Sequence, residues 1–156
     1  MAEIALPLFR YIAPSVGNSL TRMYLSFKSD GKGVPKGFEL DTDPIAFFAG
    51  VSSDKKNSVP VYQFTIAYPT TDNPQRFYYS TDANPSSGWI LYVTDENPKG
   101  IAFYTPTEKD LGAVPVNHFY YTFNNGLWNN WYQTLGDLDK WKLAPNHPIA
   151  FYAWLL

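Results

Sequence analysis

Short runs in which apolar and polar residues alternate are separated along this chain by clusters of Pro, Gly, Asn and Asp. Alternation with period two is the mark of a strand with one face inward. Between residues 59 and 113 it predicts strands at Val61–Thr65, Arg76–Ser80, Trp89–Val93 and Ile101–Tyr104. The intervening stretches, such as Pro69-Thr70-Thr71-Asp72-Asn73-Pro74, are turn formers. Pro fixes φ, Gly admits φ > 0, and Asn and Asp bond their own backbone. No stretch supports a long helix, so the chain reads as all-β.

The same four-strand pattern occurs three times. Leu6-Pro7-Leu8-Phe9-Arg10, Val59-Pro60-Val61-Tyr62-Gln63 and Val114-Pro115-Val116-Asn117-His118 open the units. Arg22-Met23-Tyr24-Leu25-Ser26, Arg76-Phe77-Tyr78-Tyr79-Ser80 and Asn130-Trp131-Tyr132-Gln133-Thr134 follow. Then come Phe38, Trp89 and Trp141, and the units close on Ile45-Ala46-Phe47, Ile101-Ala102-Phe103 and Ile149-Ala150-Phe151. The Pro anchors stand 53 and 55 residues apart and the middle motifs 54 and 54. Such a period signals an internal repeat in which no unit buries its apolar face alone. The expectation is a single domain of three units, 6–58, 59–113 and 114–156, with twelve strands. Unit length favours a β-trefoil, with a β-prism of three four-stranded sheets as the alternative. Tyr24, Tyr78 and Tyr132 recur in register on this alignment, and Ile45, Ile101 and Ile149 share an inward face with Phe47, Phe103 and Phe151.

Composition narrows the function classes. The 156 residues include no Cys, which excludes disulfides, thiol catalysis and thiolate metal sites. Net charge is −2 with no basic block, so no nucleic-acid partner is expected. Aromatics make up 18% of the chain, a high share; most must be core, and a surplus of Tyr and Trp suits recognition surfaces. The first residues carry Glu3 and no long apolar stretch, unlike a signal peptide. No apolar run is long enough for a transmembrane helix. None of the eleven Asn stands in an Asn-x-Ser/Thr acceptor. The chain therefore reads as cytosolic at synthesis, with non-classical release left as an option.

Shared positions are read as scaffold, and the loops between them as the place for a site. After the first strand of each unit lie Asn18 in the first, Asp72 and Asn73 with Arg76 in the second, and Asn124, Asn125, Trp128 and Asn129 in the third. The third loop is the richest, since Asn amides and a flat indole together suit a neutral, hydroxyl-rich ligand. A plain turn is the competing reading. A second set, Asp30, Asp82 and Asp137, follows the second strands, one per unit, as acceptors for ligand hydroxyls or as turn residues. His147 precedes the last strand. No catalytic motif stands out, and acidic pairs such as Asp41/Asp43 and Asp95/Glu96 read as solvated turns.

Taken together, Pro60-Val61-Tyr62-Gln63-Phe64, Arg76-Phe77-Tyr78-Tyr79-Ser80, Gly88-Trp89 and Lys99-Gly100-Ile101-Ala102-Phe103-Tyr104 resemble short aromatic repeats of unknown function on secreted bacterial and fungal enzymes. The likeness spans all three units. It departs before Gly88-Trp89, where that family has an acidic, helix-prone stretch. In length, lack of Cys and charge the chain also resembles mushroom-type β-trefoil lectins, which implies a fold and not a site. The sequence reading is a multivalent lectin that binds glycans or glycoproteins, with no catalysis, cofactor or metal, and with a homodimer as an option. A trefoil protease inhibitor or a protein-interaction module is the alternative.

Overall fold

The structure, a computed structural model, describes residues 5–13, 21–52, 58–70, 74–108, 110–122, 128–134, 136, 138, 140–145 and 147–154. These residues are all-β and contain no helix, so none that could cross a membrane. The first unit holds β1 (Leu6–Ala13), β2 (Arg22–Ser26) and β3 (Glu39–Ala49). The second holds β4 (Ser58–Ile66), β5 (Phe77–Ser80), β6 (Trp89–Leu91) and β7 (Ile101–Pro106). The third holds β8 (Val114–Thr122), β9 (Trp128–Gln133), β10 (Lys142–Leu143) and β11 (Ile149–Ala153).

Each unit makes its own antiparallel sheet with the opening strand at the centre. β4 pairs with β5 along one edge, and with β7 and then β6 along the other. β8 does the same with β9, β11 and β10. In the first unit the third and fourth strands run on as β3. The reason is length: only Asp41-Thr42-Asp43-Pro44 separates Leu40 from Ile45, whereas the second unit has room to fold Thr94–Gly100 into turns. The described strands therefore number eleven, where twelve were expected. The three sheets do not join into the closed barrel that a trefoil reading entails. Pro7, Pro60 and Pro115 fit inside central strands because pairing with β2, β5 and β9 starts only two residues further on.

The sheets meet on a shared core. Phe47, Phe103 and Phe151 are buried equivalents, with ring centroids 5.5–6.0 Å apart and edge-on geometry. Leu8, Val61 and Val116, their cross-strand partners, are equally buried. Burying each Phe contributes roughly 1.5–3 kcal/mol, and edge-to-face pairing adds about 0.5–1.5 kcal/mol per pair.

The Ile residues depart from expectation. Ile45 and Ile149 are 45% and 43% exposed and Ile101 is half-buried, although each stands two residues before a buried Phe. At this point every sheet carries a β-bulge, where Ala46, Ala102 or Ala150 is the extra residue. The bulge breaks the period of two and turns the Ile outward.

A second correction concerns register in the third unit. Tyr132 pairs with His118, as Tyr79 pairs with Gln63 and Leu25 with Arg10. Trp131, not Tyr132, stands in the place of Tyr24 and Tyr78. Hydrogen bonds between units follow this alignment: the Leu25 N–H donates to the Tyr79 hydroxyl (2.8 Å) and the Tyr79 N–H to the Tyr132 hydroxyl (2.8 Å). The first unit has Leu25 where a third such Tyr would sit. There Arg10 Nη2 reaches the Tyr132 carbonyl instead, at 2.9 Å.

Candidate functional site

Among the described residues, polar side chains converge at the junctions between units. One polar residue stands at the same place in each opening strand: Arg10, Gln63 and His118. Each lies at a junction with the unit before it, the first unit following the third.

At the junction of the second and third units lies a cleft of about 490 Å³. The turn after β5 supplies Asp82, Asn84 and Ser86 to one wall, all exposed. His147 and Ile149, from the approach to β11, face them. Tyr78, Trp89, His118 and Asn130 form the floor. The turn is held locally. The Asp82 N–H donates to Ser80 Oγ (3.0 Å), and Asp82 Oδ1 accepts from the Asn84 N–H (3.0 Å) and side-chain amide (3.1 Å). The Ser86 N–H donates to the Tyr78 hydroxyl at 2.9 Å, which ties the turn to the floor. The Trp89 ring stands edge-on to Tyr78 at 4.8 Å and is 8% exposed.

His118 Nε2 lies 2.7 Å from Asn130 Oδ1, and its ring stacks on Tyr132 at 4.7 Å, nearly parallel. Desolvation on this floor lowers its pKa to about 4, outweighing the Asn130 bond that favours the charged form. It is neutral at pH 7, so the floor adds no positive charge. Asn130 Nδ2 donates to the Phe77 carbonyl at 3.0 Å, which fixes its amide across the junction.

The junction of the first and second units carries the pseudo-equivalent cleft, about 580 Å³. Gln63 takes the place of His118, Ile101 that of Ile149, and Ser26 and Lys28 those of Ser80 and Asp82. The same turn recurs, with the Lys28 N–H donating to Ser26 Oγ at 3.1 Å. Gln63 Nε2 donates to the Tyr79 hydroxyl at 2.9 Å. The rim differs in carrying charges of both signs, Lys28, Lys32, Asp95 and Glu96, where the other cleft has Asp82. At the third junction Arg10 lies over the Trp131 ring at 4.7 Å and 4.0 Å from Asp41.

Of the residues expected to bind, Asp82 and His147 are brought together, from different units, on the walls of one cleft. Asp30 is exposed and accepts from the Lys32 N–H at 3.0 Å, the turn role weighed against binding. It is not the equivalent of Asp82, whose place Lys28 takes. Arg76 and Asn129 face inward, at 1% and 0% exposure, and not toward a surface ligand. Burial, with the neighbouring charge of Arg22, lowers the Arg76 pKa to about 10. Trp128 opens β9 opposite Thr122. Its side chain, and all of Asn18, Asp72, Asn73, Asn124, Asn125 and Asp137, lie outside the described residues.

Sequence reasoning missed Tyr78, Trp89, His118 and Asn130 as cleft residues. One signal was available: the fifth residue of each opening motif is polar, in a run otherwise suited to a core. No protein-family model matches the chain, and neither does any curated protein or solved structure.

Proposed function

We propose that this protein binds carbohydrate through the clefts between its repeat units, as a multivalent lectin without catalysis. The observation that carries the reading is the lining of the cleft between the second and third units. Asp82, Asn84, Ser86, Asn130 and His147 offer donors and acceptors around the rings of Tyr78 and Trp89. A pyranose presents hydroxyls at its edge and C–H groups on its face, which match amides and aromatic rings. Recurrence of the cleft at the preceding junction supports multivalency, since two weak sites on one rigid body raise avidity without new contacts. The fold reading that goes with this is prism-like: three separate sheets around an axis marked by the Phe triad.

A glycan array tests the proposal, with wild type and Asp82→Asn side by side. Asn keeps the acceptor for the Asx turn and removes the charge. Charge-assisted hydrogen bonds contribute about 1.5–3 kcal/mol, so Asp82→Asn is expected to weaken neutral-glycan signals roughly tenfold or more while leaving the melting temperature unchanged. An array blank for wild type would refute the reading.

A further inference from the structure

The two clefts are built on one plan but carry opposite charge at one position. Lys28 stands where Asp82 stands, each two residues beyond a Ser whose Oγ accepts its N–H (3.1 and 3.0 Å). Both side chains border their clefts. Floor residues Gln63 and His118 are uncharged at neutral pH, so the rims set the electrostatic difference.

Cations of the first rim are loosely held. Lys28 Nζ is 3.3 Å from both carboxylate oxygens of Glu96. Well-made charge-assisted N–H···O bonds are about 2.7–2.9 Å. Glu96 is the freer partner, its side chain 74% exposed against 46% for Lys28. Among the described residues, Lys32, on the same rim, has only its near neighbour Asp30 at 4.0 Å, and both are exposed. A pair this exposed contributes little, so a better-placed anion displaces Glu96 at small cost. Asp95 and Glu96 oppose an anion from the far wall, so the site suits a single carboxylate seated against Lys28 and not a polyanion.

We infer that the cleft between the first and second units selects sugars bearing a carboxylate, of the uronic or sialic acid type, with Lys28 as the specificity-determining residue. The cleft between the second and third units, with Asp82 at that place, selects neutral sugars. This inference rests on the carbohydrate-binding reading and gives it a substrate class.

The test is a titration of full-length, 15N-labelled protein with matched pairs: glucuronate and glucose, galacturonate and galactose, sialyllactose and lactose. Shifts at Lys28, Gly33 and Asn97 report the first cleft, and shifts at Asn84, Ser86 and His147 the second. The acidic member of at least one pair is expected to bind the first cleft at least about tenfold more tightly than its neutral partner. Lys28→Gln is expected to abolish that preference, and Glu96→Gln to increase it. Opposite signs from two exposed substitutions separate recognition from damage to the fold. Neutral sugars binding both clefts with no acidic preference, or a preference that neither substitution moves, overturn the inference while leaving the carbohydrate reading standing. Silence of both clefts to every sugar overturns both.

Discussion

His118 joins core and cleft in one side chain. Its ring lies against Tyr132, itself stacked on Phe151 of the axial triad, and its Nε2 meets Asn130. The unfolded chain takes up a proton near the ordinary 6.5, and the folded chain only near 4. Between those values the unfolded state holds more protons, so stability present above pH 6.5 is lost as pH falls toward 4. His118 is part-exposed in the cleft, and with solvent screening allowed for, the loss is on the order of 2 kcal/mol. Substituting His118→Gln places there the residue that already serves at Gln63. Denaturant titrations at pH 7 and pH 4 should show a smaller acid-induced loss for His118→Gln than for wild type, and equal losses would contradict the assigned burial. The same residue shows what a sequence reveals. A polar residue recurring as Arg10, Gln63 and His118 was visible in the opening motifs. That it would bond Asn130 and share a cleft with Asp82 was not, because one comes from another strand and the other from another unit.

Among the elements, the turn before β7 shows how a repeat is locally adapted. The Gly100 carbonyl accepts from the Gln63 N–H at 2.9 Å, and the Pro148 carbonyl from the His118 N–H at 2.9 Å, so one backbone contact is kept by two residue types. Gly100 has φ +70° and no room for a Cβ, which would run into the Leu91 side chain. Gly31 has φ +81° with open space around it. Left-handed geometry costs an L-residue roughly 1–2 kcal/mol, and forced repacking adds about 1–3 kcal/mol. Urea denaturation of Gly100→Ala and Gly31→Ala should find the former more destabilising by at least about 1 kcal/mol; equal effects would mean that Leu91 gives way freely. Strand positions were legible because turn chemistry brackets them. The bulges were not, since Ala46, Ala102 and Ala150 look like ordinary members of an alternating run. Register in the third unit was ambiguous for a related reason: Trp131 and Tyr132 are adjacent aromatics, and only pairing with His118 decides between them.

On the scale of the whole molecule, the three-fold plan holds in the core and is broken at its junctions. Cross-sheet bridges close one end through Gly50 with Tyr104 and Phe48 with Trp154. The position matching Gly50 in the second unit is Pro106, which has no N–H to give its counterpart Tyr152. Charge is broken as well, with Arg10 at one junction, Lys28 and Glu96 at the next, and His118 with Asp82 at the last. Unequal junctions on one rigid core suit a molecule that offers several related but distinct sites. The three-unit plan could be read from spacing alone. The seat of each site could not, because a cleft between units has no contiguous sequence.

On the proposed reading, glycans bind in the clefts between units and not on loop tips. A chemical-shift map of the labelled protein, with the strongest glycan from an array, tests it most directly. Cleft binding predicts shifts confined to Asp82, Asn84, Ser86 and His147, to the pseudo-equivalent Lys28, Gly33 and Asn97, or to both sets. Shifts centred on Tyr68 or Leu111, exposed residues distant in sequence from either set, or no shifts at saturating glycan, would contradict it.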